Sequence, residues 1–104
     1  MTRTVLLVED SEDDVFFMRL AWEKAGVSNP LQVVQDGQQA LDYLAGAGKF
    51  VDRQEYPLPC LVLLDWKLPY LMGVEVLKWI RQQPPFKTLP TSFHAALCTK
   101  HEYL

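Results

Sequence analysis

Two unbroken runs of four apolar residues, each ended by an acid, constrain this chain more than any other feature. Val5-Leu6-Leu7-Val8 stops at Glu9-Asp10, and Leu61-Val62-Leu63-Leu64 stops at Asp65. A strand with apolar side chains on both faces needs cover on both sides, the condition of a parallel sheet enclosed by helices.

The segments around the two runs supply the rest. Ser11 stands three residues before Asp14, a weaker form of the Ser-x-x-Glu capping box. Val15, Met18, Trp22 and Ala25 recur at helical spacing, and Gly26 is placed to close that helix. Asn29-Pro30 marks a turn. Leu31 to Gln35 reads as a second short strand, stopped by Asp36-Gly37 and followed by a helix through Ala40, Leu41 and Leu44. Residues 46–59 hold two Gly and two Pro and read as a loop. Val76, Leu77 and Ile80 mark a third helix, which Pro84-Pro85 must stop. From Thr91 the pattern weakens: Phe93, Ala95, Ala96, Leu97 and Cys98 offer a fourth strand, with His94 interrupting it. Three strand-helix units in succession predict an α/β domain with helices on both faces of a parallel sheet.

Composition narrows the function classes. A chain of 104 residues is expected to form one domain. Hydrophobic residues at 49% and charged residues at 22% are ordinary for a globular protein and exclude disorder or a collagen-like repeat. The net charge of −3, without a Lys/Arg stripe, argues against a nucleic-acid partner. No apolar run approaches the roughly 20 residues of a membrane span, and the start Met1-Thr2-Arg3-Thr4 lacks the features of a signal peptide. A cytoplasmic protein without a membrane partner is expected. Cys60 and Cys98 have no metal-ligand spacing and read as buried thiols in a reducing compartment.

In an open parallel sheet, ligands bind beyond the carboxyl ends of the strands. If the two apolar strands are neighbours, Glu9, Asp10 and Asp65 converge there. Three carboxylates at close range repel one another, so some stay protonated or a cation neutralises them. A hard divalent cation with oxygen ligands, Mg²⁺ above all, suits such a site. A carboxylate can itself attack phosphorus and become an acyl phosphate. The chemistry read from the residues is therefore metal-assisted phosphoryl transfer to an aspartate. A blander reading has the acids complement a helix dipole. That suffices for Glu12, Asp13 and Asp14 but leaves Asp65 unaccounted for.

The segments VLLVEDSEDD and LVLLDWKLPYLMG, in this order, resemble the two acidic motifs of response regulator receiver domains. The second holds Asp65, two residues, Leu68-Pro69, three residues and Gly73. The resemblance runs from residue 4 to residue 90. It implies a flavodoxin-like, doubly wound sheet with the second strand at one edge, then the first, third, fourth and fifth. It implies Asp65 as phospho-acceptor, Asp10 as direct Mg²⁺ ligand and Glu9 as its companion acting largely through water. Lys67 would lend its backbone carbonyl to the metal, while Pro69 and Gly73 shape the following loop. Trp66 is read as a packing or surface aromatic. The loop before Pro57-Leu58-Pro59 resembles the subgroup serving phytochrome-type histidine kinases.

The resemblance stops after Leu89-Pro90. The family continues with a strand ending in Ser or Thr and later a Lys-Pro pair; this chain has TSFHAALCTKHEYL. The hydroxyl position falls on Ala95, or on Thr99 if the alignment slides. No Lys-Pro follows Pro90. Residues 1–90 are thus expected to form the receiver-like domain and 91–104 an aberrant tail, from truncation or a frameshift, leaving the sheet incomplete. His94 and His101 in that tail read as surface residues. The expected function is a two-component signalling receiver, not an enzyme, that takes a phosphoryl group from a sensor histidine kinase, with an impaired response. An exposed sheet edge would favour a homodimer or larger assembly. The alternatives are a degenerate receiver acting as an interaction module and an aspartate-nucleophile phosphohydrolase. Lys67, where the hydrolase needs an acid, argues against the last.

Overall fold

The computed structural model describes residues 3–65 and 72–94. Strands β1 (Val5–Val8), β2 (Leu31–Val34), β3 (Leu61–Asp65) and β4 (Thr91–His94) alternate with helices α1 (Glu12–Lys24), α2 (Gly37–Ala45) and α3 (Gly73–Gln82). All strand pairs are parallel, in the order β2-β1-β3-β4. This is the expected flavodoxin-like order as far as its fourth strand. The fourth strand begins at Thr91, ahead of the apolar run at Phe93 that announced it. The two apolar runs are neighbours in register, Val5 opposite Leu61 and Val8 opposite Leu64.

Alternate residues of these strands point to opposite faces. Leu6, Val8, Val34, Val62 and Leu64 form one core with Ala40, Tyr43 and Leu44 of α2 and Val76 and Ile80 of α3. On the opposite face Val5 and Leu7 are buried, while Leu61 and Leu63 are half-buried. Helix α1 lies on that side, since its Val15 and Val33 of β2 line one cavity. The predicted stripe Val15, Met18 and Trp22 is half-buried; Ala25 is the exposed C-cap.

The helix ends follow from local chemistry. Ser11 Oγ accepts a hydrogen bond from Asp14 N at 3.3 Å, the capping half of the motif. Asp36, read in the sequence as the end of a strand, also starts α2: its carboxylate accepts from Gln39 N at 2.8 Å. Gly46 ends α2 at φ +70°, in the left-handed region, where a Cβ would also press on the Arg53 guanidinium. Within the 46–59 loop one 3-10 turn, Gly48–Phe50, packs its Phe50 ring against Tyr43 and Tyr56. Pro84–Phe86 forms a second such turn after α3. Cys60 is half-buried rather than buried; it stands at the entry to β3, where its backbone N–H donates to Thr4 O at 2.9 Å. Among the described residues no helix is long and apolar enough to cross a membrane.

Candidate functional site

The pocket is a product of strand register. Val8 and Leu64 pair across β1 and β3, so Glu9 and Asp65, the next residue of each run, emerge side by side at the carboxyl end of the sheet. Glu9 N still donates to Val34 O at 2.9 Å, which ties the end of β1 to β2. Asp10 is the first residue to turn outward.

Glu9, Asp10 and Asp65 each place a carboxylate oxygen within 4.8 Å of the others. Glu9 and Asp65 are 1% and 2% exposed, and Asp10 faces solvent. Glu9 Oε2 accepts from Ser11 N at 3.1 Å, so the residue that caps α1 also steadies the buried glutamate. Beside the acids, a cavity of about 120 Å³ is lined by Glu9, Asp10, Glu12, Val15, Val33 and Gln35. Glu12, Asp13 and Asp14 occupy the first turn of α1, the place where their charges complement the helix dipole.

The donor set is all carboxylate, with two of its three members withdrawn from water. Hard divalent ions prefer such oxygen ligands, whereas softer ones seek sulfur or imidazole. The residues present therefore fit a Mg²⁺- or Mn²⁺-type ion.

The structure thus brings Glu9, Asp10 and Asp65 together. Lys67, Pro69, Trp66, Ala95, Cys98, Thr99 and His101 lie outside the described residues. His94 ends β4 directly opposite Asp65 in the register. Gly73 is more than loop punctuation. It is buried as the first residue of α3, packed on the Asp65 backbone, a contact that no spacing in the sequence announces.

No family model matches the chain. Response regulator Rcp1 of Synechocystis sp. is 33% identical over 99 residues, covering 95% of this chain and 63% of Rcp1. Among solved structures, the bacteriophytochrome response regulator RtBRR aligns with a TM-score of 0.82 at 41% identity, over 89% of this chain and 55% of its own. The chain therefore spans less than two thirds of the length of these two proteins. The phosphorylated cyanobacterial phytochrome response regulator RcpA aligns with a TM-score of 0.82 at 30% identity, over 94% of this chain and 68% of its own. The Mn²⁺-bound form of Rcp1 aligns with a TM-score of 0.73 at 33% identity, over 96% and 70%. Sequence identity at this level over most of both chains, on the same sheet order, establishes that the chain belongs to the response regulator receiver family.

Proposed function

We propose that the chain is a phospho-acceptor switch of two-component signalling, in which Asp65 takes a phosphoryl group from a sensor histidine kinase of the phytochrome type. The observation that carries this reading is the convergence of Glu9, Asp10 and Asp65 at the end of paired parallel strands. The relatives that bear on it are RcpA, known in a phosphorylated form, and Rcp1, known with Mn²⁺.

Asp65 would attack phosphorus through one carboxylate oxygen; the new O–P bond forms as the donor's N–P bond breaks and the imidazole keeps the electron pair. Glu9, Asp10 and Asp65 would hold Mg²⁺, which when bound supplies positive charge to the phosphoryl oxygens. The backbone carbonyl of Lys67 as a further metal ligand and the Thr99 hydroxyl as a phosphoryl contact rest on the family resemblance. We also infer that copies of the chain associate through the β4 side of the sheet.

The direct test is labelling with acetyl phosphate in the presence of Mg²⁺, followed by peptide mass spectrometry. One phosphoryl group is expected on Asp65, and Asp65→Asn should abolish it. Modification of a different carboxylate would overturn the assignment.

A further inference from the structure

Gly73 has no need of its backbone freedom, because its φ lies outside the left-handed region. It needs the space. A Cβ at this position would overlap the main-chain oxygen of Asp65 and stand 3.0 Å from Cε1 of Phe93. Three elements meet there: the last residue of β3, the first turn of α3 and a ring carried by β4. The Asp65 backbone cannot yield cheaply. Leu64 is paired with Val8 on one side and Asp65 with His94 on the other. A side chain at 73 must therefore lift α3 away from β3 or displace the end of β3 itself.

From this contact, we infer that Gly73 is a positioning residue of the acidic pocket: by letting α3 start against the Asp65 carbonyl, it sets where the Asp65 carboxylate stands relative to Glu9 and Asp10. The inference rests on the reading of that pocket as a cation site. Ligand distances in metal sites are held to within about 0.2 Å, so a shift of the β3 end by a few tenths of an ångström is felt at the ion. Phe93 is the softer of the two contacts, since a ring can turn and a paired backbone cannot.

The test is a Mn²⁺ titration of the full chain, read from the electron-paramagnetic signal of the free ion. Parent, Gly73→Ala, Asp65→Asn and Ile80→Val are compared at a temperature where circular dichroism shows each folded. Ile80 is buried in the core farther along the same helix, so its truncation loosens α3 without touching Asp65. Gly73→Ala is expected to weaken Mn²⁺ binding about tenfold or more, the usual scale for a group that orients a ligand, while Ile80→Val binds like the parent. Parental affinity in Gly73→Ala, with binding lost in Asp65→Asn, overturns the inference and leaves the cation site standing. Equal loss in Gly73→Ala and Ile80→Val overturns it too, because the effect is then one of helix stability. A parent that binds no Mn²⁺ overturns both. Should Gly73→Ala fail to fold, Gly73→Ala/Phe93→Ala gives α3 room to move outward. That double variant should bind about tenfold more weakly than Phe93→Ala alone; equal affinity overturns the inference.

Discussion

Asp10 is the carboxylate of the three that solvent reaches, and the metal reading makes its substitution informative. For Asp10→Asn the informative quantity is the difference between melts with and without Mg²⁺, which cancels whatever the substitution does to the metal-free protein. On the metal reading the same change removes a ligand, so the rise in melting temperature expected of the parent in millimolar Mg²⁺ through mass action should largely vanish. Thermal melts with and without Mg²⁺ decide it; an undiminished Mg²⁺ increment in the variant contradicts the ligand role. Tyr43 behaves differently. Its hydroxyl donates to Pro57 O at 2.8 Å, and burial pushes its pKa from 10.0 up to about 12, with Arg53 opposing the rise. The unfolded chain loses this proton near pH 10 while the folded one keeps it. The stabilisation is therefore intact below pH 10 and is lost as pH climbs toward 12. Tyr43→Phe should flatten the alkaline limb of stability in urea melts and cost about 1 kcal/mol at neutral pH for the missing hydrogen bond. An unchanged alkaline limb contradicts it. Tyr56, also shifted upward by desolvation and by Glu55, leaves part of that limb in place. At this scale the sequence revealed the acids because each interrupts an apolar run. It marked Gly73 only as a shaper of the following loop, since a glycine needed for space and one needed for a turn are written alike.

Among the elements, α2 depends on a residue outside it. The last carbonyls of a helix lack intrahelical partners. The Gly46 and Ala47 N–H groups meet Tyr43 O and Asp42 O, and Arg53 adds to them, donating to Tyr43 O at 2.7 Å, Leu44 O at 2.8 Å and, in the loop, Tyr56 O at 3.2 Å. Its charge also sits where the helix dipole is negative. Arg53→Ala should destabilise the domain by about 2 kcal/mol, and Arg53→Lys should recover only part, because a point charge cannot span several carbonyls as the guanidinium fork does. Urea denaturation midpoints measure both; a loss below about 0.5 kcal/mol for Arg53→Ala would place it among ordinary surface changes. The sequence reads residues 46–59 correctly as a connection. The clamp is invisible there because its contacts reach back nine and ten residues, beyond any local period. By contrast, the helix starts at Ser11 and Asp36 are chemistry between near neighbours. The capping pattern at Ser11 was readable for that reason. Asp36 was read only as the stop of the preceding strand.

The whole molecule inherits an asymmetry from its sheet. At the β2 side the long loop reaches across, with Gln32 Nε2 donating to Glu55 O at 3.2 Å. At the other side, among the described residues, β4 is paired only with β3, and Leu61 and Leu63 are half-buried. Phe16, Phe17 and Leu20 stand exposed on α1, Phe16 at 63%. Partly wet apolar side chains cost about 25 cal/mol per Å² left exposed, and an unpaired edge invites a second strand. Light scattering at micromolar concentration should show a dimer or larger assembly; a monomer across the whole concentration range would defeat the edge argument. The alternation of apolar runs and helices was enough to give a parallel sheet with helices on both faces, but the order β2-β1-β3-β4 came from the family resemblance, since periodicity carries no information on which strands are neighbours. That adjacency has a kinetic meaning. Glu9 and Asp65 lie at opposite ends of a long stretch of chain and come within reach of one another only once Val8 sits against Leu64. Local fluctuation of a helix or a loop cannot assemble the pocket, because its parts belong to different crossovers. On the proposed reading of the pocket as a cation site, capture of an ion waits for closure of the central strands, and a half-folded chain has nothing with which to be switched on.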